Sequence, residues 1–482
     1  MLAIIALVLF SVWFLLLRPR RGGKNAPPTV VHSPVVPFPI IGVLAEFFKS
    51  PNTMIKRCYE AYGPVFTIPI CHRRLTYLIG PEAQEVFFKA SDDVLSQQEV
   101  YDFMRPVFGP NIVYDASKKN RQVQFQTMAN GLRASRLKSY VPKIEEETRQ
   151  YLKTYWNKDS GEVDLLTALS ELTILTASRC LHGEDVRTHI FKDVQELYHD
   201  LDHGLTPLTV FWSTAPTAAH KKRDAARLEM VRLFSKVIAE RREFPERSDG
   251  TDILSLFMEI KYKDGTPITD EEVTGMLIAL LFAGQHTSCI TSTWTTLLLA
   301  NKPELVGRVL EEQKKVLGAD WKNKKLEFDD VQNMEFLNNS TREALRLCPT
   351  FIMLLRRAEC DVNIKVQGKE YTIPKNDFVC VSPTVSMRLK STFTNPDEFD
   401  PDRFAEPREE HKKIPYSYLG FGGGLHSCMG QNFGLMQVKT ILSIIFREYE
   451  IEQVADKLPE CGYDDMVVGP KGDTRIRYKK RV

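Results

Sequence analysis

The chain lacks the patterns that mark several common protein classes. Its nine cysteines are odd in number, scattered, and never spaced as Cys-x-x-Cys. That argues against a complete disulfide framework and against zinc ribbons, and fits free thiols in a reducing compartment. No Lys/Arg block is long enough for a nucleic-acid patch, and the net charge is only +2, so no nucleic-acid partner is expected. No Gly-x-Gly-x-x-Gly follows a strand-like run, so this chain need not bind a dinucleotide itself. Internal repeats and low-complexity tracts are missing, which argues against a solenoid or a long disordered arm. The first apolar run has no basic segment before it and no small-residue cleavage site after it, which argues against a cleaved signal peptide. What is present is ordinary globular stock. With 43% hydrophobic and 26% charged residues over 482 positions, a large core can be buried.

Residues 2–17 are apolar apart from Ser11 and are followed by Arg18, Arg20 and Arg21. As a helix they would span roughly 24 Å, slightly short of a bilayer, with Trp13 and the arginines at the interface. The positive-inside rule then places the bulk of the chain in the cytosol. The expected organisation is a membrane anchor at 1–18, a basic, Pro-rich linker at 19–45 and a globular domain at 46–482. Pro27, Pro28, Pro34, Pro37 and Pro39 stiffen the linker, and its apolar Val35, Val36, Phe38 and Ile40 can meet lipid or an entry mouth. On the cytosolic side the Asn338-Asn-Ser-Thr341 sequons carry no meaning.

Residues 65–70 and 74–79 read as a β-hairpin, and Gly80-Pro81-Glu82 opens a helix with Pro at its first position. An aromatic loop, broken by Gly and Pro, is expected at 101–114. Helices dominate 134–263, with breaks at Gly183, Gly204, Pro207, Pro216 and Pro245; the apolar stretch 204–212 suits either a lid or core. Thr269-Asp-Glu-Glu272 is a capping box for a helix expected to reach about Asn301. So long and apolar a helix must cross the centre of its domain. Within it, Gly284 costs about 1 kcal/mol relative to Ala, and Thr287 can bond back to a carbonyl. Small residues there make room for something flat. A later helix ends at Leu347 and places Glu343 and Arg346 on one face, where spacing alone allows a surface pair. Strands follow at 362–366, 371–374 and 378–381, then Pro401-Asp-Arg403-Phe404. The expected class is mainly α with small β-sheets.

Near the end stands Phe421-x-x-Gly424-x-x-x-Cys428-x-Gly430, followed at once by a helical pattern over 432–449. Alone, Cys428 reads as a small buried hydrophobe. In this pattern, a Gly-rich loop lets backbone approach a large flat ligand and delivers one thiol to a helix start, where N–H groups favour the metal-binding thiolate. The loop resembles the haem-binding signature of the cytochrome P-450 superfamily. Ala283-Gly-Gln-His-Thr287, Glu343-x-x-Arg346, Pro401-x-Arg403-Phe404 and the Cys428 loop match that superfamily in order and spacing over nearly the whole chain. The resemblance implies the cytochrome P-450 fold, with haem b between the long central helix and the Cys loop, and iron bound by Cys428. It implies cofactor contacts from Phe421 and Gly424, and a buried ion network of Glu343, Arg346 and Arg403.

Within the superfamily the chain resembles the sterol 14α-demethylases, through Ala283-Gly-Gln-His-Thr-Ser288, residues 101–109 with Tyr114, residues 351–356, and Tyr463-Asp-Asp-Met-Val-Val468. That resemblance implies that Tyr101, Tyr114, Arg356 and His426 hold the haem propionates. It implies a sterol cavity lined by Phe103, Met104, Phe108, Ala279, Phe282, Ala283, Phe351, Met353, Leu355, Met466 and Val467. His286 and Thr287 would serve catalysis, His286 as a proton relay and Thr287 as a hydrogen-bonding partner in oxygen activation. A basic residue expected on the helix after Tyr114 has no clear match; Arg121 is nearby but out of register. The implied activity is three-step oxidative removal of the 14α-methyl group as formate, with electrons from NADPH through a separate flavoprotein reductase. The implied place is the endoplasmic reticulum membrane, with a single N-terminal anchor, and the family is an azole target. Phe103 stands where members of that family differ, and the resemblance implies an obtusifoliol-like sterol over lanosterol or eburicol. Two alternatives stand beside this: a haem-thiolate monooxygenase of another lipid or a xenobiotic, and a haem carrier or sensor without turnover, which has no need of Thr287.

Overall fold

A computed structural model describes residues 23, 25–34, 41–70, 73–205, 209–210, 212–463 and 467–481. The expected anchor at 1–18 lies outside the described residues, as do Val35, Val36, Phe38 and Ile40 of the linker, Met466, and part of the stretch 204–212. The chain divides into two compact units. One combines Met1–Val100, Phe351–Glu398 and Arg408–Ser427; the other combines Tyr101–Thr350, Phe399–Pro407 and Cys428–Val482.

The first unit is built on a five-stranded sheet. Val65–Ile70 and Arg73–Leu78 form the expected hairpin, in register from Val65 with Leu78 to Ile70 with Arg73. Phe378–Val381 adds parallel to the second strand, Leu354–Ala358 adds antiparallel to it, and Leu95–Ser96 closes the edge. Arg356 therefore sits mid-strand, opposite Val379. The second hairpin pairs Val362–Val366 with Lys369–Ile373. Its two turn residues, Gln367 and Gly368, both have positive φ, the conformation that matches strand twist across a two-residue turn. The helix Pro81–Lys89 starts on Pro, as its sequence requires. Part of the segment expected as a linker takes up regular structure. Residues 28–30 bond to the first strand, with Val30 N donating to Thr67 O and Thr67 N to Pro28 O, each at 2.8 Å. A helix, Ile41–Lys49, has already begun before residue 45. Val30 is fully buried, so this part of the segment packs as sheet edge and core.

The second unit is mostly helical and is organised on Asp270–Ala300. The capping box forms in both directions: Glu272 N donates to Thr269 Oγ1, and Thr269 N donates to Glu272 Oε2 at 2.9 Å. This helix is long and apolar enough to cross a membrane, yet most of it is buried in protein, packed against Leu165–Leu181, Glu335–Leu347 and Gln431–Glu448. Gly275 sets one of these contacts: a Cβ there would lie 2.1 Å from the Phe108 carbonyl oxygen. The expected irregular loop at 101–114 is partly helical, a 3-10 turn Asp102–Met104 followed by a short helix Arg105–Phe108 that Gly109 ends at φ +100°. A three-stranded sheet of Ser160–Asp164, Arg475–Lys480 and Tyr449–Gln453 completes the unit.

Candidate haem-thiolate site

Cys428 lies exposed just before the helix Gln431–Glu448. Nearby protein displaces water and pushes its thiol up, while the backbone N–H groups of Gly430 and Gln431 pull it down. The N–H effect expected from sequence is present but is outweighed by the loss of water around the sulfur; the thiolate is the form that binds a metal. Six residues on, a Cβ at Gly434 would stand 3.9 Å from Ser288 Oγ, so this helix runs closely past the centre of Asp270–Ala300.

At that centre the long helix changes character. Leu281 and Gln285 are buried and residues 288–299 are buried throughout, yet Ala283 is exposed and a Cβ at Gly284 would find nothing within 4 Å. Thr287 Oγ1 donates to the Ala283 carbonyl at 2.6 Å, so its proton is turned into the helix and its oxygen can accept from outside. His286 Nε2 lies 3.0 Å from Asp202 Oδ1 on the helix Phe191–His203. One turn earlier on that helix, Tyr198 donates to Gln285 Oε1 at 3.2 Å. Sequence reasoning missed both Tyr198 and Asp202. Their i, i+4 spacing, an aromatic and a carboxylate on one face, was the available signal.

Of the residues expected to line a sterol cavity, the second unit brings several together. Phe108 and Phe282 meet edge to face at 6.2 Å between ring centres, and Phe282 meets Tyr198 at 4.6 Å. Met104, Ala279, Phe282 and Val467 are partly buried against the same core, and Phe103 lies 6.2 Å from the Tyr101 ring. In the first unit, Met353 accepts a hydrogen bond from Tyr77 and packs with Leu355 on one sheet face, while Phe351 is 40% exposed.

Tyr101 stacks on Tyr114 at 4.8 Å. Burial pushes the Tyr114 phenol up to about 12, against the opposing charge of Arg121. Arg121 is thus near enough to Tyr114 to act on it, despite its register. Arg356 is buried, and its Nε has no hydrogen-bond partner. His426 ends the turn Gly424–His426, and Phe421 is half-buried. Gly424 has a packing role alongside the cofactor contact that the resemblance implies. At φ +63° its Cβ would fall 2.0 Å from the Phe88 carbonyl, so the glycine serves close approach to the helix Pro81–Lys89. Glu343 accepts from Arg346 at 2.7 and 2.9 Å and from Arg403 at 2.8 Å. All three are fully buried or nearly so, which rules out the surface pair that the spacing alone allowed.

These residues fit a haem. Cys428 offers one thiolate at a helix start, the ligation that a haem-thiolate uses. In the second unit, the mid-helix surface at Ala283 and Gly284 suits a flat group; in the first unit, the buried Arg356 Nε, with no hydrogen-bond partner, suits an acid.

The comparisons agree with this chemistry. The family description "Cytochrome P450" matches residues 32–474. An obtusifoliol 14-alpha demethylase of Sorghum bicolor is 44% identical, covering 99% of this chain and 95% of that protein. A sterol 14-demethylase of Arabidopsis thaliana is 44% identical over 95% and 92%, and a lanosterol 14-alpha demethylase of Bos taurus is 39% identical over 96% and 89%. The retinoic acid-bound cyanobacterial CYP120A1 superposes with a TM-score of 0.81 over 95% of this chain and all of its own, at 20% identity, a likeness of fold. The chain belongs to the cytochrome P450 family and, within it, to the sterol 14-demethylases. It is a haem-thiolate oxidoreductase.

Proposed function

We propose that this protein removes the 14α-methyl group of a sterol precursor by successive oxidation to alcohol, aldehyde and formate, leaving a ring double bond. The observation that carries this reading is near-full-length similarity to sterol 14-demethylases in a chain that keeps an exposed Cys428 at a helix start. Bound haem, held by the Cys428 thiolate, would supply oxygen binding and O–O cleavage. The chain's own residues do the rest. Arg356, His426, Tyr101 and Tyr114 hold the haem acids. Phe103, Met104, Phe108, Ala279, Phe282 and Ala283, with Phe351, Met353, Leu355, Met466 and Val467, bury a rigid apolar polycycle at roughly 25 cal/mol per Å² of apolar surface. Thr287 accepts a hydrogen bond at the reacting oxygen or its water. His286 and Asp202, both about one-third exposed, pass protons inward from solvent.

Electrons come from NADPH through a separate flavoprotein reductase, and the apolar run at 2–17 anchors the chain in the endoplasmic reticulum membrane. Phe103 favours an obtusifoliol-like sterol, in keeping with the names of the relatives at 44% identity from Sorghum bicolor and Triticum aestivum. The test is reconstituted turnover with a reductase, offering obtusifoliol and lanosterol side by side and following demethylated sterol and formate. Both products are expected, with obtusifoliol preferred. Alcohol alone after full turnover refutes the three-step claim, and no product despite normal haem loading and electron transfer refutes the substrate class.

A further inference from the structure

The guanidinium of Arg356 carries five N–H donors, and the first unit uses four of them. Nη1 donates to the Phe87 carbonyl at 2.6 Å and to the Ala90 carbonyl at 3.0 Å. Nη2 donates to the Leu95 carbonyl and to Asp92 Oδ1, the latter at 3.2 Å. Only Nε, buried, is left without a hydrogen-bond partner. The same Asp92 Oδ1 lies 2.7 Å from His426 Nε2. One carboxylate therefore ties the strand Leu354–Ala358 to the turn Gly424–His426. Both are fixed to the same stretch of chain: the strand through the carbonyls of 87, 90 and 95, the turn through the close approach of Gly424 to Phe88.

A carboxylate that accepts from two basic side chains sets the orientation of both, as the outer partners of metal ligands do. We propose that Asp92 is a positioning residue for cofactor binding. It fixes the Arg356 fork so that Nε is the donor left for a haem propionate, and it holds His426 beside it. This rests on the reading that Arg356 and His426 hold the haem acids. Asp92 is about one-third exposed, whereas Arg356 is 1% exposed, so the carboxylate keeps solvent on one side while its partner does not. Its charge also belongs to the cofactor's electrostatic surroundings. Removing it makes reduction of the iron easier.

The experiment compares the full-length holoenzyme with Asp92→Asn, Asp92→Glu and Asp92→Ala, measuring haem transfer to excess apomyoglobin and the ferric/ferrous midpoint potential. Asp92→Asn keeps the volume and an acceptor, so it carries the test if Asp92→Ala does not fold. Haem release is expected to rise about tenfold in Asp92→Asn, in line with the loss of an outer partner. Its potential should move to more positive values, and Asp92→Glu should restore most of both. A role confined to loop packing would leave the potential of haem-loaded Asp92→Asn where it was. Unchanged release and unchanged potential in Asp92→Asn overturn the proposal. Arg356→Lys and His426→Gln are run beside it. If neither speeds haem release, the propionate reading itself fails; if both do and the Asp92 variants do not, Asp92 alone is excluded.

Discussion

Replacing Glu343 with Gln tests a heavily loaded, fully buried polar contact in the second unit. Glu343 Oε2 accepts from Arg346 Nε, while Oε1 accepts from Arg346 Nη2, from Arg403 Nε and from the Asp400 backbone N–H at 3.0 Å. Glu343 and Arg346 are fully buried and Arg403 is 1% exposed. Glu343→Gln keeps the shape but leaves two buried guanidinium groups beside a neutral amide, one of whose two oxygens has become an N–H donor. Breaking one buried pair costs about 3–5 kcal/mol, and two cations share this carboxylate, so the upper end applies. Against a domain stability of about 5–15 kcal/mol, that is a large fraction. With a slope of about 3 kcal/mol per molar, the urea midpoint followed by far-UV circular dichroism should fall by about 1–2 M. Replacing all three side chains together by apolar groups of similar volume should recover much of the loss, because the desolvation cost leaves with the charges. A Glu343→Gln midpoint indistinguishable from the parent's would refute the reasoning, since only a solvated pair worth a few tenths of a kcal/mol behaves that way.

Two glycines on the central helix should respond in opposite directions. Gly275→Ala drives a Cβ into the Phe108 carbonyl and should cost about 1–3 kcal/mol, whereas Gly284→Ala meets open space and should add about 1 kcal/mol to the haem-free protein; thermal melts of both check this, and equal shifts would sink it. Thr287→Ala should retain oxygen and NADPH consumption while diverting it from demethylated sterol to peroxide or water, read as a lower product yield per NADPH; an unchanged yield would remove Thr287 from the reaction. His182 is fully buried, and burial, with the Arg241 charge acting the same way, lowers it from the usual 6.5 to about 4. Above pH 6.5 neither state takes a proton there and the stability is complete. Between 6.5 and 4 the unfolded chain is protonated first, so stability falls as pH falls, by about 3 kcal/mol at the end of the window. His182→Gln should flatten that part of the pH–stability curve, and an unaltered slope would assign the acid loss elsewhere.

What the sequence could reveal depended on whether a signal was local. The bounds of Asp270–Ala300 were legible because Thr269 and Glu272 cap it within one turn, and the hairpin at 65–78 because its runs are β-rich and adjacent. The Glu343–Arg346 pair was legible as a pair but not as buried. An i, i+3 spacing is identical on a wet face and a dry one, and what dries this one is Pro401–Phe404, more than fifty positions later. Gly284 was singled out and Gly275 was not, since both are small residues in one helix. Only the neighbouring chain distinguishes a glycine that faces open space from one pressed on a carbonyl.

The same limit explains why the partners of the expected site residues were the parts that escaped. His286 and Arg356 could be named from motifs, but Asp202 and Asp92 lie 84 and 264 positions away from them in segments without a motif. A titratable or cationic group acts through what holds it. The imidazole of His286 is held by Asp202, which is itself about one-third exposed. A guanidinium without Asp92 and the carbonyls of 87, 90 and 95 could turn any of its five donors outward, and with them it has one. In this fold the motifs name His286 and Arg356, and unremarkable acids, brought in by tertiary contact alone, fix which of their atoms are already engaged.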